Sequence, residues 1–351
     1  MANDPIKSIT VIIPCRNEEK YIGKCLDSIL QQDYPKDKLE ILVVDGMSTD
    51  GSRAIIQSYQ EKYHFLKLLD NPRRIVPSAL NTGIRNAKCE VIIIMGAHTE
   101  YAKDYLSQCE QVQAETGADN VGGPARTKAS TYLQKAIAIA FRTPFAVGGS
   151  KSHNEDYEGE IDTVTYGCYH KAVFQKIGLF DEELVRNQDD ELNFRLTRAG
   201  GKIWQSPQIK SWYYPRASIF ALFRQYMQYG YWKVKVIQKH KIPASIRHIV
   251  PGMFVATLLI LIPLSIISKY LRILLGLVVF SYLLANIFAT LLTCRKPLRW
   301  RYLPVMPLVF FVYHFAYGYG FLRGVLDFVF LRKKASATFT KLTRAEKVDT
   351  K

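Results

Sequence analysis

The sequence predicts an α/β domain built on a mostly parallel central sheet, followed by a surface helix and apolar C-terminal helices. Three observations carry this. Over the first 100 residues, short β-branched runs alternate with stretches of helical periodicity. An acidic run at 186–196 opens a later amphipathic segment. Between residues 248 and 322, three long windows carry no Asp, Glu, Lys or Arg.

The elements follow in order. Ile9–Pro14 is a short run of mostly β-branched apolar residues, a strand signal. Glu18–Leu30 places Ile22, Leu26 and Ile29 at helical spacing. Leu39–Val44 is the next strand and ends in Asp45-Gly46. Ser48-Thr49-Asp50-Gly51-Ser52 supplies the cap of a helix over Ala54–Tyr63. Phe65–Leu69 is a third strand, Pro77–Ala87 a helix, and Val91–Met95 a fourth, wholly apolar strand. Repeated strand–helix–strand order implies parallel pairing with helices on both faces. Ligands of such sheets sit at the carboxyl ends of the strands. The candidates are therefore Arg16-Asn17-Glu18, Asp45-Gly46 and Gly96-Ala97-His98. Residues 99–180 are less regular. Gly122-Gly123-Pro124 and Gly148-Gly149-Ser150-Lys151 read as loops, and the acidic stretch 153–160 as a lid.

Arg186-Asn187-Gln188-Asp189-Asp190-Glu191-Leu192 follows Gly178-Leu179-Phe180-Asp181-Glu182. A helix start favours acids, because its free N–H groups carry positive partial charge. Three adjacent carboxylates repel one another, so at least one is expected to face something other than bulk water. A general base needs a carboxylate fixed at a cleft edge. The other candidates have plainer readings beside the functional one. Asn17 and the acids after it can cap a helix, Asp45 can be a turn residue, and a lone His98 can be structural. Arg73, Arg74 and Asn81 can neutralise phosphate or simply meet solvent.

The formal net charge of +16 is unevenly placed. Residues 216–351 hold 21 Lys and Arg against three acids, a net of +18, which leaves −2 for residues 1–215. A nucleic-acid-binding domain does not divide its charge so, and no nucleic acid partner is expected; a basic collar against anionic lipid does. The charge-free windows 248–268, 273–294 and 302–322 each approach the ~20 residues that span a bilayer as helix. The third, rich in Tyr, Gly and Pro, is open to crossing, re-entry or an interfacial place. Ser218–His240 sets Phe220, Phe223, Met227, Tyr231 and Val234 at helical steps with basic residues between them, an amphipathic helix for the membrane face. It could also offer Arg224, Gln225 and Lys233 to a diphosphate.

The polar start at Met1–Asp4 and the short run Ile9–Ile13 give no leader pattern. The N-terminal domain is thus expected in the cytoplasm, with the chain integral to the cytoplasmic (inner) membrane. The six cysteines lack metal or disulfide spacing. The positive-inside rule favours a cytoplasmic side before residue 248 and at 295–301, but three crossings would put the basic tail outside. The reading divides the chain into a catalytic domain (1–217), an interfacial helical region (218–247), a membrane region (248–331) and a basic tail (332–351).

Together the motifs resemble those of the family 2 glycosyltransferases. The residues are Pro14-Cys15-Arg16-Asn17-Glu18-Glu19, Val43-Val44-Asp45-Gly46-Met47-Ser48-Thr49-Asp50, Asn81-Thr82-Gly83, Gly96-Ala97-His98 and the run 188–191. The stretch from Gly178 through Arg224-Gln225-Tyr226 and Tyr229-Gly230-Tyr231-Trp232-Lys233 is similar to the membrane-bound subgroup typified by succinoglycan-type exopolysaccharide glucosyltransferases. The resemblance implies a GT-A fold and an inverting transfer of one sugar from a nucleotide donor, first of all a UDP-sugar, to a lipid-linked acceptor in exopolysaccharide or surface-glycan assembly. It implies that Pro14, Arg16, Asn17, Glu19, Asp45, Gly46, Asn81 and Ala97 surround the donor, with Asp45 and Glu19 at the uracil or ribose. Asp189 would be the catalytic base, His98 a ligand of a divalent metal (Mg or Mn), and Asp190, Glu191, Arg224, Gln225, Trp232 and Lys233 the acceptor and diphosphate side. Two departures stand out: Gly96 replaces the Asp usual before Ala97, and Gln188 the Glu usual before the base. The alternatives are transfer to a polyprenyl monophosphate and a non-catalytic nucleotide-binding membrane protein.

Overall fold

The structure is a computed structural model and describes residues 6–243 and 245–340. In chain order the strands are β1 (Ile9–Cys15), β2 (Leu39–Asp45), β3 (Leu66–Asp70), β4 (Val91–Ile94), β5 (Thr99–Tyr101), β6 (Asn120–Gly123), β7 (Arg126–Thr127), β8 (Gly159–Glu160), β9 (Thr165–His170), β10 (Ile203–Gln205) and β11 (Ser211–Tyr213). The helices are α1 (Ile22–Leu30), α2 (Ser52–Lys62), α3 (Val76–Asn86), α4 (Tyr105–Thr116), α5 (Tyr132–Phe141), α6 (Pro144–Val147), α7 (Lys171–Ile177), α8 (Gln188–Arg198), α9 (Ile219–His240), α10 (Val250–Ile267), α11 (Lys269–Cys294) and α12 (Met306–Gly324).

These elements form two compact units, 1–128 with 151–214, and 129–150 with 215 onward. The first holds an eight-stranded sheet in the order β3-β2-β1-β4-β9-β6-β10-β8. Neighbours from β3 to β4 are parallel, as are β6 and β10. β9 enters antiparallel to both β4 and β6. Strand alternation sends side chains to opposite faces. Ile9, Val11 and Ile13 of β1 pack with Leu26 of α1, Ile56 of α2 and Leu106 of α4. Ile12 joins Leu80 of α3, Phe174 of α7 and Leu192 of α8 on the other face. Both faces are thus covered, which fits the largely apolar sequences of β1, β2 and β4; the exceptions inside them, Thr10 and Glu40, bond each other at 2.8 Å. A small sheet, β5-β11-β7, joins two strands from the stretch that sequence reads as irregular to β11 beyond it.

In the second unit α10 and α11 have the length and apolar composition to cross a membrane. The third apolar window forms α12, whose Met306, Val309, Phe310, Tyr313 and Ala316 are instead buried. They pack with Ala136, Ile137 and Ala140 of α5 and Leu222 of α9. The segment 129–150 groups with this unit. Lys341, Arg344 and Lys347 of the basic tail lie outside the described residues.

Candidate active site

The carboxyl end of the sheet is built from two laced loops. Asn17 sits in the left-handed region, φ 54°, which Asn tolerates better than most residues. Its side-chain oxygen accepts from Thr49 N–H at 2.9 Å, and its own N–H donates to Ser48 Oγ at 2.8 Å. Glu18 N–H donates to Ser52 Oγ and Glu19 N–H to Asp50. Burial pushes the Asp50 carboxyl up, but the bonds from Ser52 and the backbone N–H groups outweigh it, so the group lies below its usual range. The capping stretch 48–52 thus ties the β1 and β2 loops together. Arg16 packs its stem against Gly46, where a Cβ would stand 3.1 Å from Arg16 Cδ, and donates to Arg74 O.

Asp45 ends β2 fully buried. It accepts from Ser48 Oγ and Ser48 N–H and pairs with Arg53 at 2.7 Å. Arg53 also pairs with Asp70 at the end of β3. Three internal bonds thus hold the buried Asp45 carboxylate in place. Arg53 is a partner of Asp45 that the sequence does not signal; it lies on a helix, and no spacing points it back to Asp45. Beside Asp45, the Cys15 thiol is pushed well up by burial and by the charges of Asp45 and Glu18. It stays neutral and is no nucleophile.

After β4, His98 Nδ1 lies 3.2 Å from Glu18 Oε1, both side chains partly exposed. Among the described residues no three His, Cys, Asp or Glu cluster as a metal site. A pair suits only an ion that takes most of its ligands from phosphate and water, as Mg does. The Gly96 departure has a steric reason. A Cβ there would meet the Tyr166 ring at 2.9 Å. Tyr166 is held at φ 53°, with its hydroxyl 2.7 Å from Thr99 Oγ1. An aromatic ring from β9 thus fills the space into which a carboxylate at 96 would grow.

The acidic run opens α8, and its three members differ. Glu191 is fully buried and paired with Arg195 at 2.9 Å. Arg195 also donates to the carbonyls of Ile177 and Leu179, which fixes the preceding loop. Glu191 is therefore committed to structure. Asp190 N–H caps Asp189 Oδ1 at 2.9 Å, and Asp189 itself is exposed. Asp189 also lies near Tyr169, whose hydroxyl is pushed up by burial and then by that charge. Asn81, placed at the donor by resemblance, clamps the 180–182 loop: its amide bonds Phe180 N–H, Phe180 O and Glu182, and Glu182 pairs with Arg73.

The remaining predicted residues lie on α9, in the second unit. Gln225 accepts from Arg216 and donates to Tyr229. Arg224 stacks over Phe220. Lys233 is buried, and Trp232 is buried with its indole N–H on Phe339 O at 2.9 Å. Pro14 and Ala97 close β1 and follow β4 as the sequence places them.

Comparison with known proteins now bears on this arrangement. The family described as Glycosyl transferase family 2 matches residues 10–178. A Methanococcus voltae protein named dolichyl N-acetyl-alpha-D-glucosaminyl phosphate 3-beta-D-2,3-diacetamido-2,3-dideoxy-beta-D-glucuronosyltransferase is 34% identical over 91% of this chain and 97% of its own. The chain is a family 2 glycosyltransferase. The Succinoglycan biosynthesis protein ExoA of Rhizobium meliloti is 30% identical over 93% of this chain and 98% of its own. The mannosyltransferase PcManGT from Pyrobaculum calidifontis, solved with GDP-Man and Mn2+, superposes with a TM-score of 0.56 at 20% identity, covering 88% of this chain and 86% of that one. This family 2 enzyme thus has the GT-A fold.

Proposed function

We propose that this glycosyltransferase moves a sugar with inversion from a nucleotide sugar, first of all a UDP-sugar, to a lipid-linked acceptor at the cytoplasmic face of a membrane. The observation that carries the mechanism is the division of labour at the start of α8. Glu191 is locked to Arg195, while Asp189 is exposed and hydrogen-bonded by the next N–H. Asp189 takes the proton of the acceptor hydroxyl. The acceptor oxygen forms its bond to the anomeric carbon as the bond from that carbon to the phosphate oxygen breaks, and the electron pair leaves on the diphosphate. Asp45, at the carboxyl end of β2, receives an N–H or O–H of the nucleoside. His98, whose Nδ1 faces Glu18, is the residue that would hold a divalent metal through its other ring nitrogen, and a metal bound there would neutralise diphosphate charge.

Support for the acceptor class comes from the relatives. One is named for a sugar already carried on dolichyl phosphate, the other for exopolysaccharide assembly. The first name favours a lipid-linked sugar over a bare polyprenyl phosphate. The test is release of nucleoside diphosphate from a panel of nucleotide sugars by solubilised protein with extracted lipid acceptors, comparing wild type with Asp189→Asn. The substitution is expected to slow acceptor-dependent release by about 10²- to 10⁴-fold, the usual contribution of a general base. Equal release by both proteins would move the base to Asp190.

A further inference from the structure

Three charge-free windows would send the basic residues after 330 to the side opposite the 295–301 loop. The surroundings of the windows differ. α10 and α11 form an antiparallel hairpin about Ser268: Phe254 stacks on Tyr282, equidistant from it in sequence, and Arg272 donates to Ser265 O. Ile260, Ile262, Ile266, Phe280, Leu284 and Phe288 stand exposed along it. An apolar surface of that extent on two helices of spanning length is matched by bilayer hydrocarbon.

One side of α12 is buried against α5, α9 and α10, while Leu308, Phe311 and Tyr319 stand exposed on the other. A Cβ on Gly320 would stand 1.9 Å from Met227 O, one on Gly230 2.0 Å from Tyr317 O, and one on Gly318 2.3 Å from Pro251 O. Such contacts mark backbones in close approach, as small residues permit. Along α9 and α12 the contacts advance together: Tyr226 with Tyr313, Met227 with Gly320, Tyr231 with Gly324. The two helices therefore run in the same direction. If α12 crossed the bilayer, α9 would cross beside it in the same sense. Successive crossings alternate, however, so with α10 and α11 between them the first and fourth would be antiparallel. α9 also carries Arg224, Gln228, Lys233 and Lys235, which are costly at bilayer depth.

We infer that α10 and α11 are the two membrane crossings and that α12 stays on the side of α9. Arg295–Arg301 and Arg332–Lys334 then return to the face from which the hairpin enters, where Lys239, Lys241 and Arg247 also lie. Only Lys269 and Arg272 are left at the far tip, which satisfies the positive-inside rule. The inference rests on the membrane reading above and not on the transfer chemistry.

The test uses the full chain carrying Cys89→Ser with single cysteines at Asp37→Cys, Ser268→Cys, Lys296→Cys or Lys334→Cys. Sealed vesicles of both orientations are treated with a membrane-impermeant maleimide. Positions 37, 296 and 334 are expected to react from one side and 268 from the other. Position 334 reacting with 268 would show that α12 crosses. Position 268 reacting with 37 would show that the hairpin does not. Both results overturn the inference while the protein stays in the membrane; release of the chain by alkaline carbonate would instead remove the membrane reading itself.

Discussion

Glu18 and Glu191 both flank the start of a helix, yet the structure gives them opposite tasks. Glu191 is sealed against Arg195, whereas Glu18 reaches across the sheet edge to His98. A carboxylate on one imidazole nitrogen fixes the ring and its tautomer and leaves the other nitrogen for a ligand. Glu18→Gln is therefore expected to weaken Mn2+ binding to the nucleotide-bound enzyme by about 10- to 100-fold, the usual effect of losing such a partner. Titration of free Mn2+ by electron paramagnetic resonance reads this directly, and unchanged affinity would show that Glu18 does not orient His98. Gly96 makes the reciprocal case. Gly96→Asp alone drives its Cβ against Tyr166 and is expected to lower thermal stability without improving Mn2+ affinity. Gly96→Asp combined with Tyr166→Ala opens the space and is expected to bind Mn2+ more tightly than wild type. Equal affinity in the double variant would mean that a carboxylate at 96 does not reach the ion. The departure at Gly96 was legible in sequence. Its cause was not, because nothing in local pattern says that a residue 70 positions away will adopt a left-handed backbone and fill the gap.

At the scale of elements, β1, β2, β4 and α8 follow closely from their local signals, since continuous apolar runs and an acidic helix start each report a single environment. Two elements were not legible for a common reason. The segment 129–150 and α12 take their meaning from each other: Tyr313 donates to Ile137 O, and His314 meets Phe145 O at 2.6 Å. Contacts between residues so far apart in sequence leave no periodicity. The Gly and Tyr content of α12 leaves crossing, re-entry and an interfacial place open in the sequence; in the structure its glycines let α9 and α10 approach. Gly320→Ala must push α12 off Met227 O and is expected to cost about 1–3 kcal/mol, as overpacking does. Gly276→Ala on α11 meets nothing within 4 Å and is expected to raise stability by up to about 1 kcal/mol, as Ala does in a helix interior. Thermal unfolding in detergent compares the two. Equal midpoints would show that the α9–α12 contact is looser than its backbone distances imply.

The molecule as a whole separates its charge as it separates its tasks. Residues 1–215 are nearly neutral and contain the loops proposed for the nucleotide, while the positive excess lies after 216, in the part of the sequence that holds the apolar hairpin. A tether that holds an enzyme at a surface raises the effective concentration of an acceptor confined to that surface, without touching the chemistry. The hairpin is suited to this role, because α12 meets it at Val255 and Tyr282 and residues 256–281 lie between these two positions around the Ser268 turn. Replacing 256–281 by a short polar turn is therefore expected to leave the donor nucleotide's Kd unchanged by calorimetry. Transfer to a lipid-linked acceptor in vesicles is expected to slow by at least about 10²-fold, the lower end of what tethering supplies. Transfer at the wild-type rate would mean that the remaining helices and basic residues suffice to hold the enzyme at its acceptor. A raised Kd would mean that the hairpin supports the donor loops as well as the membrane contact.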